Sequence, residues 1–264
     1  MLKGLYVAYT GMLQEQRRMD NLANNLANAD TTGFKKEGLS SQTFETVLVD
    51  KIKDDSEGYR YAGRIGKANP GVKIGESYVD WSEGSFQVTD IPMDMAIGGK
   101  GFFTVEFTNK NQETTTFYTR DGNFQLTTDG YLVTTDGDYV LGKSGNATQR
   151  IKLDPVKDVI VDQQGFIFQD GKSVAQLAIT DFDDYNYLEH YGENYYYPVE
   201  GARAKDATNA RVLQGYLETS NVDIVPEMVE MISVSRQYEA NQKIIQTIDT
   251  SMQIAANQLG RLNG

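Results

Sequence analysis

Residues 21–34 read NLANNLANADTTGF. Four of the first eight are asparagine, a residue whose amide competes for backbone groups and makes it a mediocre helix former. Leu22, Leu26 and Ala29 nevertheless recur at i, i+4 and i+7, the spacing of one helical face. Asn21, Asn25 and Asn28 repeat that spacing about 100° further round. A solvated face would ordinarily carry Lys and Glu, and this one carries none. A face of uncharged amides suits hydrogen bonding to a crowded neighbour.

Working outward, the N-terminal segment carries a heptad: Leu2, Leu5, Tyr9, Met12, Gln16, Met19, Ala23 and Leu26 alternate in steps of three and four. Gly33 is expected to stop the helix. The C-terminal segment carries a longer heptad, through Met231, Val234, Tyr238, Asn241, Ile245, Ile248, Met252, Ala255, Leu259 and Leu262, with Asn241 its one polar member. Asp223 is a suitable N-cap and Pro226 falls in the first turn. A helix from about 224 to 262 would be roughly 58 Å long. Sustained repeats of this kind predict coiled-coil packing.

Between the ends, from about 84 to 200, short β-like runs alternate with turns. Asp-Gly recurs at 121–122, 129–130, 136–137 and 170–171, and NFQLTT and YLVTT lie between such turns as hairpin strands should. MDMAIGGKGFFTVEF reads as strand, Gly-rich turn, strand. Residues 50–75 are charged and Gly-rich. The predicted fold class is α+β: a discontinuous stalk of N- and C-terminal helices paired antiparallel as a coiled coil, with an inserted all-β domain rich in hairpins. The boundaries are 1–33 plus 215–264 for the helical assembly domain, 34–83 for a linker or extended arm, and 84–205 for the β-domain. Two helices bury little surface, so the stalk is expected to need copies of itself.

Composition narrows the function. The 264 residues carry a net charge of −12, which argues against nucleic acid and anionic lipid as partners. With no cysteine, disulfides and thiolate metal sites are excluded. The start, MLKGLYVAYTGMLQEQRRMD, lacks an apolar core and a small-residue cleavage site, so no cleaved secretory signal is expected. GGKGFF (98–103) has neither Walker nor dinucleotide spacing. A single histidine, His190, excludes a multi-histidine metal site and leaves no convincing triad. Asp129, Asp136 and Asp138 lack the remaining EF-hand positions. The Tyr-rich DFDDYNYLEHYGENYYYP (181–198) reads either as aromatic cross-strand pairing or as a sugar-binding platform. No catalytic residue, metal or cofactor is expected.

Three ordered blocks carry a resemblance: NNLANADTTGFKKEG (24–38), DMAIGGKGFF (94–103) with YTRDGNF (118–124), and QGYLETSNVDIVPEMVEMISVSRQYE (214–239). Together they resemble the bacterial flagellar rod and hook family, most closely the basal-body rod proteins, of distal or proximal type. The family motifs fall on Asn24, Asn25, Leu26, Asn28, Gly33 and Phe34; on Gly98, Gly101, Phe102 and Phe103; and on Gly215, Glu218, Ser220, Asn221, Val222, Arg236, Tyr238 and Glu239. The resemblance implies structural and assembly roles for these residues. It implies a non-catalytic subunit of a hollow, torque-transmitting shaft, partnered by its own copies and by other axial proteins. It further implies export by the flagellar type III apparatus, with the chain cytoplasmic beforehand. On this reading the amide stripe touches neighbouring subunits or the channel lining. The alternative, from another class, is a secreted carbohydrate-binding or glycan-hydrolysing β-domain.

Overall fold

The computed structural model describes residues 2–51, 63–108, 113–144, 147–192, 194–207 and 209–261. It divides into two compact units. One holds described residues of Met1–Leu26, Glu37–Val79 and Ile224–Gly264; the other holds Ala27–Lys36 and Asp80–Asp223. Helices α1 (Leu2–Ala27) and α2 (Ile224–Arg261) lie at the two ends of the chain, with strands between them, so the class is α+β.

In the first unit α1 and α2 run antiparallel. A methyl group on Gly4 would lie 3.7 Å from Ile248 Cδ1, and one on Gly11 would lie 3.2 Å from Asn241 Nδ2. Arg18 Nη2 donates to Glu230 Oε1 at 2.8 Å, and Asn25 Nδ2 donates to Glu227 Oε2 at 3.3 Å. The α1 positions advance by seven while their partners fall back along α2, the signature of an antiparallel heptad seam. On α2 the expected seam is the observed one. Met231, Val234, Tyr238, Asn241, Ile245, Ile248, Met252 and Ala255 are all at least partly covered, and nearly all the residues between them are exposed. The side chains of Leu259 and Leu262 lie outside the described residues.

On α1 the seam differs from expectation. Leu5, Met12, Met19 and Leu26 are partly covered as expected, but Tyr9, Gln16 and Ala23 are exposed, and the contact line runs through Gly4, Ala8, Gly11, Arg18, Leu22 and Asn25. The reason is size: glycine and alanine let two backbones approach closely. Bulky Tyr6, Val7, Tyr9 and Leu13 remain 41–50% exposed.

The asparagine stripe is also resolved differently. Helix α1 ends at Ala27, so Asn28 lies beyond it and its Oδ1 accepts from Thr31 Oγ1 at 3.1 Å. Asn25 is fully buried within its own chain. Its Nδ2 donates to Glu37 O at 2.8 Å, and its Oδ1 accepts from Glu37 N at 3.0 Å. The amide thus substitutes for a peptide group, satisfying both polar atoms of Glu37 as a ladder partner would. It pins the first strand, Glu37–Thr43, to the end of α1. That strand pairs with Val72–Val79, and Val47–Lys51 pairs with Gly63–Ala68, so two antiparallel ribbons occupy much of the 34–83 segment. The ribbon folds back along α1, where Gln14 Nε2 donates to Ser41 Oγ and Gly71 leaves room for Thr10.

The second unit is built on an antiparallel ten-stranded sheet. Its central strands Thr114–Thr119, Phe102–Thr108 and Tyr139–Ser144 cover a core that includes Met95, Ile97, Phe103, Val105, Leu132 and Val140. Three of the four Asp-Gly pairs close hairpins. At 170–171 both residues have positive φ (50° and 74°), as a two-residue type I′ turn requires. The fourth, 121–122, is not a hairpin turn: Gly122 lies against the Met95 backbone, its carbonyl accepting from Met95 N at 3.0 Å. Strand Met95–Gly98 also does not pair across GGKG; it pairs with Arg211–Gln214. The Tyr-rich stretch forms the hairpin Leu188–Tyr191 with Tyr195–Pro198. Its rings are engaged in packing: Tyr196 is 4.8 Å from Trp81, and Tyr191 stacks on Phe117 at 4.9 Å.

The seam yields a test. Gly11→Val should weaken helix pairing by about 1–3 kcal/mol through overpacking against Asn241. Ile248→Asp should also lower helix association, while the midpoint of the β-sheet circular dichroism signal stays unchanged. Equal helix content in both variants and wild type would contradict this seam.

Candidate functional site: a buried carboxylate shared by three segments

Glu218 ends the short strand Tyr216–Glu218, which pairs with Phe86–Val88. Its carboxylate is completely buried. Oε1 accepts from Lys35 Nζ at 2.5 Å and from Gly84 N at 3.1 Å, and Oε2 accepts from Arg120 Nη1 at 3.2 Å. Lys35 Nζ also donates to Ser82 O at 2.7 Å. Arg120 spreads its fork over the backbone, Nη1 to Ile97 O at 3.1 Å and Nη2 to Gly99 O at 2.7 Å, with its guanidinium 5.4 Å from the Phe102 ring centre. Burial pulls the Lys35 ammonium below its usual pKa, and the adjacent Glu218 carboxylate opposes that shift. Two cations around one anion, each with further backbone partners, is the arrangement that makes buried charge tolerable.

The backbone around this cluster is equally constrained. Gly33 N donates to Glu218 O at 2.8 Å. Gly33 lies well past the end of α1, so it is not the helix stop. Its φ is +69°, and a side chain there would come within 2.5 Å of Arg120 C and Asp121 N. Thr32 Oγ1 donates to Asp121 Oδ1 at 2.7 Å, and burial pushes that carboxyl up against the lowering effect of its hydrogen bonds. Asn221 Oδ1 accepts from Lys36 N at 2.7 Å, while its Nδ2 donates to Asp80 O at 2.8 Å. Every oxygen of Glu218 is occupied, so the cluster is a lock rather than a reaction centre.

Of the residues singled out by sequence, Gly33, Glu218 and Asn221 meet here, with Phe102 beneath Arg120. Phe34 and Phe103 are fully buried, and Ser220 and Val222 nearly so. Gly101 (φ +139°) lies against Ile179 and Ala207, and Gly215 donates to Asp94 O at 2.7 Å. Gly98 ends its strand near Arg211. Asn24, Asn25, Leu26, Arg236, Tyr238 and Glu239 belong to the helical unit and are not part of this cluster. Lys35 and Arg120 were not singled out, although both lie inside the quoted blocks; isolated cations read as surface residues. Glu218→Gln should destabilise the β-rich unit by about 3–5 kcal/mol, because two buried cations lose their counter-charge. Adding Lys35→Met should restore part of that loss. Urea unfolding followed by the single Trp81 measures both, and a loss below about 1 kcal/mol, the level of an exposed pair, would rule out the lock.

Three family models match in chain order. Residues 5–35 match the flagella basal body rod protein model, 96–169 the flagellar hook protein FlgE/F/G D1 domain, and 213–259 the flagellar basal body rod FlgEFG protein C-terminal model. Lys35, Arg120 and Glu218 fall one in each. The chain is 33% identical to the flagellar basal-body rod protein FlgG of Bacillus subtilis over 274 residues, covering 97% of this chain and 99% of the relative. It is 31% identical to the basal-body rod protein FlgF of Caulobacter vibrioides, with both chains fully covered. It is 32% identical to FlgG of Buchnera aphidicola from Schizaphis graminum, covering 96% and 98%. By these matches along its whole length, the chain belongs to the flagellar basal-body rod protein family.

Proposed function

We propose that this chain is a structural subunit of the flagellar rod in the basal body. It polymerises with its own copies and with other axial proteins into a hollow shaft that transmits torque from motor to hook. In this reading it is held in the cytoplasm before export through the flagellar type III apparatus, and no residue has a catalytic role. The observation that carries the proposal is a second apolar face on α2. At 100° per residue, Val225, Val229 and Ile232 fall opposite the seam. They are 69%, 64% and 54% exposed. Val229 and Ile232 line a shallow groove with Arg236. An apolar stripe of this extent, with the exposed Tyr6, Val7, Tyr9 and Leu13 elsewhere on the helical unit, is what a surface covered by neighbouring subunits looks like. Arg236 and Glu239 are then contacts to neighbours, whereas Asn25, Gly33 and Glu218 act within the subunit.

Ile232→Asp separates assembly from folding. The site is exposed, so stability should change by no more than about 0.5 kcal/mol. Filament formation at high concentration, seen by electron microscopy, should be lost, as should motility in cells carrying only this copy. A variant that assembles and swims like wild type would overturn the proposal.

A further inference from the structure

A cavity of about 450 Å³ opens in the β-rich unit between the paired strands Tyr139–Ser144 and Ala147–Arg150 and the strand Lys172–Gln176. Gly142 lines it, at a position packed so closely that a side chain would come within 2.8 Å of Ile151 Cγ1 and Gln176 O. Val174 and Ala175 form an apolar wall. At the rim two cations lie over two tyrosine rings. The Arg150 guanidinium is 4.1 Å from the Tyr139 centroid, and the Lys152 ammonium is 5.3 Å from that of Tyr131. The rings meet edge to face at 5.6 Å, so they hold both cations side by side. Arg150 is already forked onto Glu106, at 2.7 and 3.1 Å. Lys152 forms no ion pair with any carboxylate among the described residues.

We propose that this cavity is a socket for an aspartate or glutamate side chain of a second copy of the chain, with Lys152 as its counter-charge. The inference rests on the self-assembly proposed above. A chain of net charge −12 repels its copies, so close packing needs sites where a carboxylate is neutralised. Each copy also supplies candidates: Asp129 and Asp158 are exposed and form no ion pair among the described residues. The tyrosine beneath Lys152 restricts its ammonium in advance, which reduces the entropy lost on pairing. The apolar wall accommodates the methylenes of the incoming side chain.

The test uses the full chain and two readouts. In sedimentation velocity at low salt, Lys152→Gln should weaken self-association about tenfold, Lys152→Arg should retain it, and added salt should remove the difference. In methyl NMR of the wild type, N-acetylglutamate should shift Val174 and Ala175, and N-acetylglutamine should not. Lys152→Gln associating like wild type would overturn the socket, as would methyls silent to N-acetylglutamate. Methyls that respond to glucuronate alone would also overturn it, in favour of a sugar acid. A wild type that never self-associates would instead defeat the proposed function, and the N-acetylglutamate titration would still decide the cavity's chemistry.

Discussion

The β-rich unit depends on one carboxylate that cannot stay buried alone. Moving a charge out of water costs several kcal/mol, and Glu218 is fully buried. Lys35 and Arg120 offset that cost only if the residues after α1, the turn at 118–124 and the strand at 216–218 all reach one point. Much of the local geometry follows from this requirement. Gly33 must be glycine because its backbone passes against Arg120, and Asn221 must be an amide because it bridges two peptide segments. The ionic cluster specifies position more than it adds net stability.

The helical unit solves a different problem, using size rather than charge. Gly4, Ala8 and Gly11 are of little use as hydrophobic ballast, yet they form the inner line of α1 because they let α2 come close. On α1 the large Tyr6, Val7, Tyr9 and Leu13 face outward, while α2 carries large apolar residues both in its seam and on the opposite face. In a self-sufficient protein that distribution would be a liability, inviting aggregation. In a subunit of a polymer it divides labour between a pairing face and a packing face.

Much of this was legible in sequence. The α2 heptad is long and carries β-branched and aliphatic residues at nearly every seam position, so its periodicity identified the buried face directly. The α1 heptad identified the partly covered Leu5, Met12, Met19 and Leu26 but misplaced Tyr9, Gln16 and Ala23, because the inner line was chosen by smallness, to which a periodicity count is blind. The 34–83 segment looked like an arm because its described strands, Glu37–Thr43 with Val72–Val79 and Val47–Lys51 with Gly63–Ala68, are held by backbone pairing and by Asn25, not by an alternating apolar core. Glu218 was found through its motif, but its partners were not. Nothing local distinguishes a lysine that will be buried 183 residues from its counter-charge from one that stays in solvent.

That same separation has a kinetic consequence. Lys35 leaves the ribosome early and Glu218 late, so through most of synthesis the ammonium has no counter-ion and must remain hydrated. Loop-closure entropy adds only about 0.6 kcal/mol for each doubling of length, so distance barely weakens the finished lock. What distance changes is timing: contacts this remote form slowly, after local hairpins. A chain whose decisive charge arrives in its last fifth stays pliable until it is nearly complete, and closes in one late step.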